Sequence, residues 1–314
     1  AATIASDGQR LVLGDVGGGL WTWRDGALVR LARGRAGEVA VALAGRRAVV
    51  GDAGGEVHEV DVTTGQRRSL VRGAAMRQVA IDGDGAPWSA DRDGVVRGGP
   101  AGPAAVVARL GGAPSAVALG PGGAWAIGRE DGVIVVGGAG APRSLAAHSR
   151  EVGRLVFVDA TTLISGAEDG RVLIWDLASG SPRELGRHDE WVAAMALAPD
   201  RRRVATGSAD GTVRIWSLDG APPQVLRAHV GTVWSVAWAA DGRLASGGSD
   251  GVIRVWRADL AATTLVFGHA VRQVAWVGDA LVAAGGTTAR VFVDLPVPAT
   301  IVAGPVDGAV TLAA

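Results

Sequence analysis

The 314-residue sequence has no cysteine, no lysine, no asparagine and no tyrosine. Without cysteine there is no disulfide, no thiol nucleophile and no thiolate zinc site, and the redox compartment stays open. Without lysine there is no Schiff base and no P-loop cation, and without tyrosine no phenolic acid. Lys, Asn and Tyr codons are AT-rich, so the simplest source of this bias is a GC-rich, bacterial genome. Net charge is missing as well. Thirty-one arginines face 31 acidic residues, and a balanced chain offers no field for nucleic acid or an anionic membrane. The longest uncharged stretch, LGGAPSAVALGPGGAWAIG at 110–128, holds six glycines and two prolines, which disqualify it as a membrane helix. The opening AATIASDGQR has no basic start before an apolar core, so no signal peptide is read there. A cytoplasmic location follows as the expectation. The chain starts without Met and ends on an apolar stretch, as a piece of a longer signalling or defence protein would.

What is abundant is glycine, 49 residues, with 48% hydrophobic residues. That combination points to a well-buried core built from many tight turns. The turns repeat. Trp175, Trp216 and Trp256 lie 41 and 40 residues apart, and each follows an aspartate by six: Asp169, Asp210 and Asp250. Four residues before each aspartate stands a small hydroxyl residue: Ser165, Thr206 or Ser246. His148, His188 and His229 precede these tryptophans by 27 or 28 residues; His269 continues the series, with Phe292 in the tryptophan's place. The segments between are strand-like: RVLIW, TVRIW and VIRVW alternate or are β-branched, and Asp-Gly turns bound them. No helix of ten residues is expected. Weaker copies run upstream, through Asp131-Gly132, Asp93-Gly94, DAGGEVHEVDV (52–62) and DVGGGLWTW (15–23). Eight units of about four strands each are counted, spaced about 36–41 residues apart, with no linker between them.

This pattern resembles the WD40 repeat family of β-propellers, most clearly over 148–256. The resemblance implies an all-β fold, one propeller domain over 1–314 with four-stranded antiparallel blades. Eight blades are favoured, with seven as the alternative. Only Trp175-Asp176 keeps the usual Trp-Asp ending; Ser217 and Arg257 follow the other two tryptophans. A lone blade cannot bury its faces, so every blade repeats the same fastening. The turn aspartate can accept from turn amides and from the histidine. The histidine shares a second hydrogen bond with the Ser/Thr hydroxyl, and the hydroxyl accepts from the indole N–H. His188, Thr206, Asp210 and Ser208 mimic a hydrolase triad, but a catalyst needs one copy and an oxyanion hole, whereas this set appears three times. No catalytic residue, cofactor or metal is expected.

Other features are weighed the same way. His58 in EVHEVD has Glu56 on its strand face and so two ligands at best. DGDG at 82–85 lacks the rest of a calcium loop, and the glycine runs VGGGL and GGAGAP precede no helix. Arg201, Arg202 and Arg203 read as a solvated loop. Trp191 and Trp234 fit inter-blade packing or an interface hot spot. By the resemblance, the residues before the turn aspartates, Arg92, Glu130, Glu168, Ala209 and Ser249, point with Trp191 to a face that binds partners. The expected function is a non-catalytic scaffold for a protein or peptide partner. The alternatives are a sensor module of a longer chain and an enzyme using the central channel. At the ring's seam, ATIAS (2–6) and AVTLAA (309–314) compete for one strand position, and ATIAS is favoured.

Overall fold

The computed structural model describes residues 3–14, 19–24, 27–33, 40–99, 101–138, 140–227, 229–286 and 288–292. They form an eight-bladed β-propeller: seven four-stranded antiparallel sheets and one for which three strands are described. Strands run in simple up-and-down order within each blade. Blade 1 takes residues 3–33, blade 2 40–72, blade 3 76–109 and blade 4 114–146; blade 5 takes 154–187, blade 6 192–227, blade 7 233–266 and blade 8 273–292. The only helical element among the described residues is a turn at Pro121–Gly123. Among the described residues no helix is long and apolar enough to cross a membrane.

Burial follows position in the blade. The second strands are sealed, as at Leu244–Gly248 and Ala280–Gly285, where every residue is buried. Neighbouring blades cover both of their faces, so these strands read as apolar and small-residue runs, without polar alternation. The outermost strands are half solvated, as at Gln224–Arg227 and Arg143–Ala146, where one residue in four turns inward. The core is a ring of inter-blade clusters; one joins Ile134 and Leu145 of blade 4 to Phe157, Leu173 and Trp175 of blade 5.

Glycine is required at two kinds of place. Gly211 of the blade 6 turn has φ +79°, and a Cβ there would stand 2.6 Å from the carbonyl oxygen of His229, in the loop to blade 7. Gly207, which follows the hydroxyl residue Thr206, lets Val233 of blade 7 close in; a Cβ would stand 2.6 Å from Val233 Cγ1. Ser-Gly at 165–166 and 246–247 repeats the arrangement.

The seam lies between blades 8 and 1. ATIAS supplies the first strand of blade 1, Thr3–Ser6, paired to Leu11–Gly14. The amide of Gln273 in blade 8 accepts from Ile4 N–H and donates to Ile4 O, both at 2.7 Å. Ser6 Oγ donates to Trp276 O at 2.7 Å, and Gly8 bridges to Val277. The competing segment 309–314 lies outside the described residues.

Candidate functional site

The innermost strands line a central channel, and their direction defines two faces. Each first strand starts on the face where the turn between the second and third strands also sits, because antiparallel neighbours return there. On this face lie the histidine loops and the Asp-Gly turns.

In blades 5, 6 and 7 the four repeated side chains meet. His148 Nδ1 is 3.1 Å from Asp169, its Nε2 is 2.7 Å from Ser165 Oγ, and Trp175 Nε1–H donates to that hydroxyl at 2.8 Å. His188, Asp210, Thr206 and Trp216 give 3.1, 2.7 and 2.7 Å in the same order. His229, Asp250, Ser246 and Trp256 give 3.1, 2.8 and 3.2 Å. Burial pushes all three imidazoles below their ordinary value, and the facing aspartates offset this only in part. Burial opposes ionisation of the aspartates too, but hydrogen bonds prevail. Asp210 accepts from Thr212 and the N–H of Asp189, Asp169 from the N–H groups of Ser149 and Arg171, and Asp250 from His229 and the N–H of Val230. All three carboxyls lie below their usual range. The network therefore assigns a neutral imidazole whose Nδ1–H donates to carboxylate, while the hydroxyl donates to Nε2 and accepts from indole. The hydroxyls are sealed from solvent: Ser165, Thr206 and Ser246 are each 0% exposed. A substrate cannot reach them.

The series ends at blade 8. His269 is exposed, the shorter turn carries Gly286 and no aspartate, and Ala283 stands where the hydroxyl would be. Phe267 and Phe292 fill the space as part of an apolar cluster.

Blades 2 and 3 move the aspartate two residues toward the chain start. In blade 3 the buried acid is Asp91, which accepts from Val95 N–H at 2.9 Å and pairs with Arg97 at 2.6 Å; Asp93 of the Asp-Gly pair is exposed. Blade 2 uses Asp52, which accepts from Glu56 N–H at 2.9 Å. This adds a donor that the EVHEVD motif did not reveal. Asp52, Glu56 and His58 hold ligand atoms within 4.8 Å of one another, three where the strand face alone gives two. His58 takes the place held by Arg97, Arg214 and Arg254, cations beside the turn aspartates of blades 3, 6 and 7.

Among the residues expected on the partner face, Arg92, Glu130, Glu168 and Ser249 are exposed and Ala209 is half-buried. The N–H groups of Arg92, Glu168, Ala209 and Ser249 donate to Ala75, Glu151, Trp191 and Thr232, which precede the innermost strands. The series therefore forms a rim around the channel mouth. Trp191 and Trp234 pack 5.3 Å apart across blades 6 and 7, and the Arg272 guanidinium of blade 8 lies 4.1 Å over Trp234. The WD40 spacing marks neither Arg272 nor the channel residue Arg154, although Arg77-Gln78-Val79-Ala80 of blade 3 recurs as Arg272-Gln273-Val274-Ala275 of blade 8.

The arginine cluster is more engaged than a solvated loop. Arg201 donates to Val158 O at 2.7 Å and Arg203 pairs with Asp200 at 2.8 Å, stacking over Trp238 of blade 7. Arg243 over Trp276 repeats that stack at the next boundary. On this opposite face the channel opens into a cavity of about 590 Å³ lined largely by alanine, valine and the two tryptophans.

A family model described as WD domain, G-beta repeat, matches residues 141–176, 180–217 and 220–257. Each match begins with the outer strand of one blade and continues into the next, so blades 5–7 with their tetrads are the three matched WD40 repeats. WD repeat-containing protein 55 of Bos taurus is 33% identical over 61 residues, 19% of this chain and 16% of that protein. The Rattus norvegicus protein of the same name matches equally, so the similarity spans about one sixth of these relatives' length. Among solved structures, the computationally designed Ika8 protein superposes with a TM-score of 0.79 at 23% identity, over 93% of this chain and 95% of that one. The WD40 beta propeller domain of Doa1 gives 0.66 at 18% identity, over 81% and 91%. The chain is thus an eight-bladed β-propeller containing WD40 repeats, an architecture that generally serves as a scaffold for protein interaction.

Proposed function

We propose that this ring is a non-catalytic scaffold that binds a segment of a partner protein at the channel mouth bearing the Asp-Gly turns. The observation that carries the reading is the ledge of half-buried Trp191 and Trp234 with exposed Arg272 stacked on it, contributed by three successive blades. Aromatic and arginine side chains that are already packed lose little freedom on binding, which is why they dominate interfaces. The exposed rim residues Arg92, Glu130, Glu168 and Ser249 would supply register and partner choice. The sealed Ser/Thr hydroxyls favour a scaffold over a channel enzyme of the hydrolase kind.

The test is cross-linked affinity capture with the intact chain, Trp191→Ala and Arg257→Ala. Arg257 lies on the opposite face, after the third strand of blade 7. Loss of the captured partner with Trp191→Ala alone is the expected result. Equal capture by all three proteins overturns the assignment of the face.

A further inference from the structure

Inside the rim that bears Glu130 and Glu168, the channel mouth on the partner face holds about 400 Å³, and its wall collects hydrogen-bond donors and no carboxylate. Arg154 and Arg272 line it together with Gln78, Ser235 and Trp234, and no Asp or Glu belongs to its wall. Arg154 starts the innermost strand of blade 5. Its Nε donates to Ala193 O at 2.7 Å and its Nη1 to Gly153 O at 2.6 Å. Among the described residues its Nη2 has no partner, and no carboxylate forms an ion pair with it. Protein surrounds the guanidinium on most sides, although the channel still admits water. Burial lowers its pKa, and the nearest opposing charge, Glu151, offsets that only in part. Glu151 is a poor counter-ion, since burial and then Glu168 and Glu130 push its own carboxyl upward.

The other polar groups agree. Ser235 Oγ accepts from Val274 N–H at 3.0 Å, which leaves its O–H free to donate. The Gln78 amide has no partner among the described residues. Arg272 is held by the Trp234 face and by no acid. Elsewhere in the ring, arginines near the turns are neutralised at once: Arg97 by Asp91 at 2.6 Å, Arg254 by Asp250 at 3.5 Å. A cation taken out of bulk water without its counter-charge is costly, and the cost is recovered when an anion enters. Planar guanidinium donors beside neutral donors suit an oxygen anion best.

We propose that the channel mouth is a binding site for an oxyanion, the carboxylate or phosphate group of a ligand, held by Arg154 and Arg272. Gln78 and Ser235 donate to its remaining oxygens. The inference concerns the chemistry of one bound group and stands whether or not that group belongs to a protein partner.

Calorimetric titration of the full chain tests it, using inorganic phosphate, O-phosphoserine and N-acetylglutamate amide against sodium chloride at equal ionic strength. Saturable binding of one equivalent of at least one of these anions is expected. Arg154→Gln and Arg272→Gln should each weaken it at least ten-fold, and Arg257→Gln, the same charge loss on the opposite face, should leave it unchanged. Arg272 is exposed, so its variant keeps the test valid should Arg154→Gln fail to fold. Binding of phosphates alone identifies a phosphorylated ligand; binding of the glutamate amide identifies an acidic side chain. No saturable heat for any of the three anions, or equal binding by Arg272→Gln, overturns the proposal. Partner capture lost in Trp191→Ala while the anion still binds would separate the two readings.

Discussion

Blades 5–7 and blades 1–4 share one backbone plan but hold it differently. In blades 5–7 a buried His–Asp–Ser/Thr–Trp chain fastens each loop to its turn. In blades 1–4 the fastening is improvised. Thr22 donates to Leu11 O in blade 1, Asp52 caps Glu56 N–H in blade 2, a buried Asp91–Arg97 pair serves blade 3, and an exposed Asp131–Arg129 pair serves blade 4. Strand alternation, tight turns and inter-blade apolar clusters are common to both halves. The difference teaches that these shared features specify the ring, while the polar fastener adds stability and can be exchanged for anything that satisfies the same buried groups.

Acid should break the comparison most sharply. The tetrad histidines have folded pKa values below their unfolded value of 6.5, so unfolding takes up protons. Their stabilisation is complete above about pH 6.5 and is lost as pH falls from there toward the folded values. Three such sites give a slope of up to about 4 kcal/mol per pH unit, at about 1.4 kcal/mol per proton. The turn aspartates, also lowered, act in a separate window below about pH 4. Urea denaturation between pH 7.5 and 5.5 should show the first loss, and hydrogen exchange should open blades 5–7 before blades 1–4. Uniform loss of protection would count against it.

Single substitutions sharpen the contrast further. Asp91→Ala should cost about 3 kcal/mol, because it strands Arg97 opposite a site where the carboxylate is only 1% exposed. Asp210→Ala, which leaves His188 and Thr212 without their acceptor, or Trp216→Phe, which removes the one indole donor to Thr206, should cost about 1–3 kcal/mol. Asp131→Ala, at a carboxylate 49% exposed, should stay within about 0.5 kcal/mol. Chemical denaturation ranks all three. A large effect at Asp131 together with a negligible one at Asp210 would invert the proposed logic.

The fold was legible because its signals are periodic: Asp-Gly, the β-branched run and the tryptophan recur, and even degenerate copies keep the glycine. Blade number and ATIAS in the first blade could be read from that periodicity. Asp91 could not, since Asp93 carried the Asp-Gly signature and only the longer turn reveals which acid is buried. Gly207 and its equivalents were visible as Ser/Thr-Gly pairs, but their reason, the approach of a valine from the next blade, is tertiary. Arg154 carries no repeat and Arg272-Gln273 echoes only Arg77-Gln78 of blade 3, so the roles of Arg154, Arg272 and Gln273 depend on which strands converge at the channel.

The Gln273 amide at the seam has a consequence for how the protein comes apart. An open row of blades can fray from an end, where departure of the outer blade severs one interface. Here the first and last blades grip each other through Ile4, Ser6 and Gly8, so the row has no outer blade. Whichever blade leaves first must sever two interfaces. Unfolding therefore begins with an expensive step and then runs downhill, and a glutamine that spans one boundary slows the loss of all eight blades.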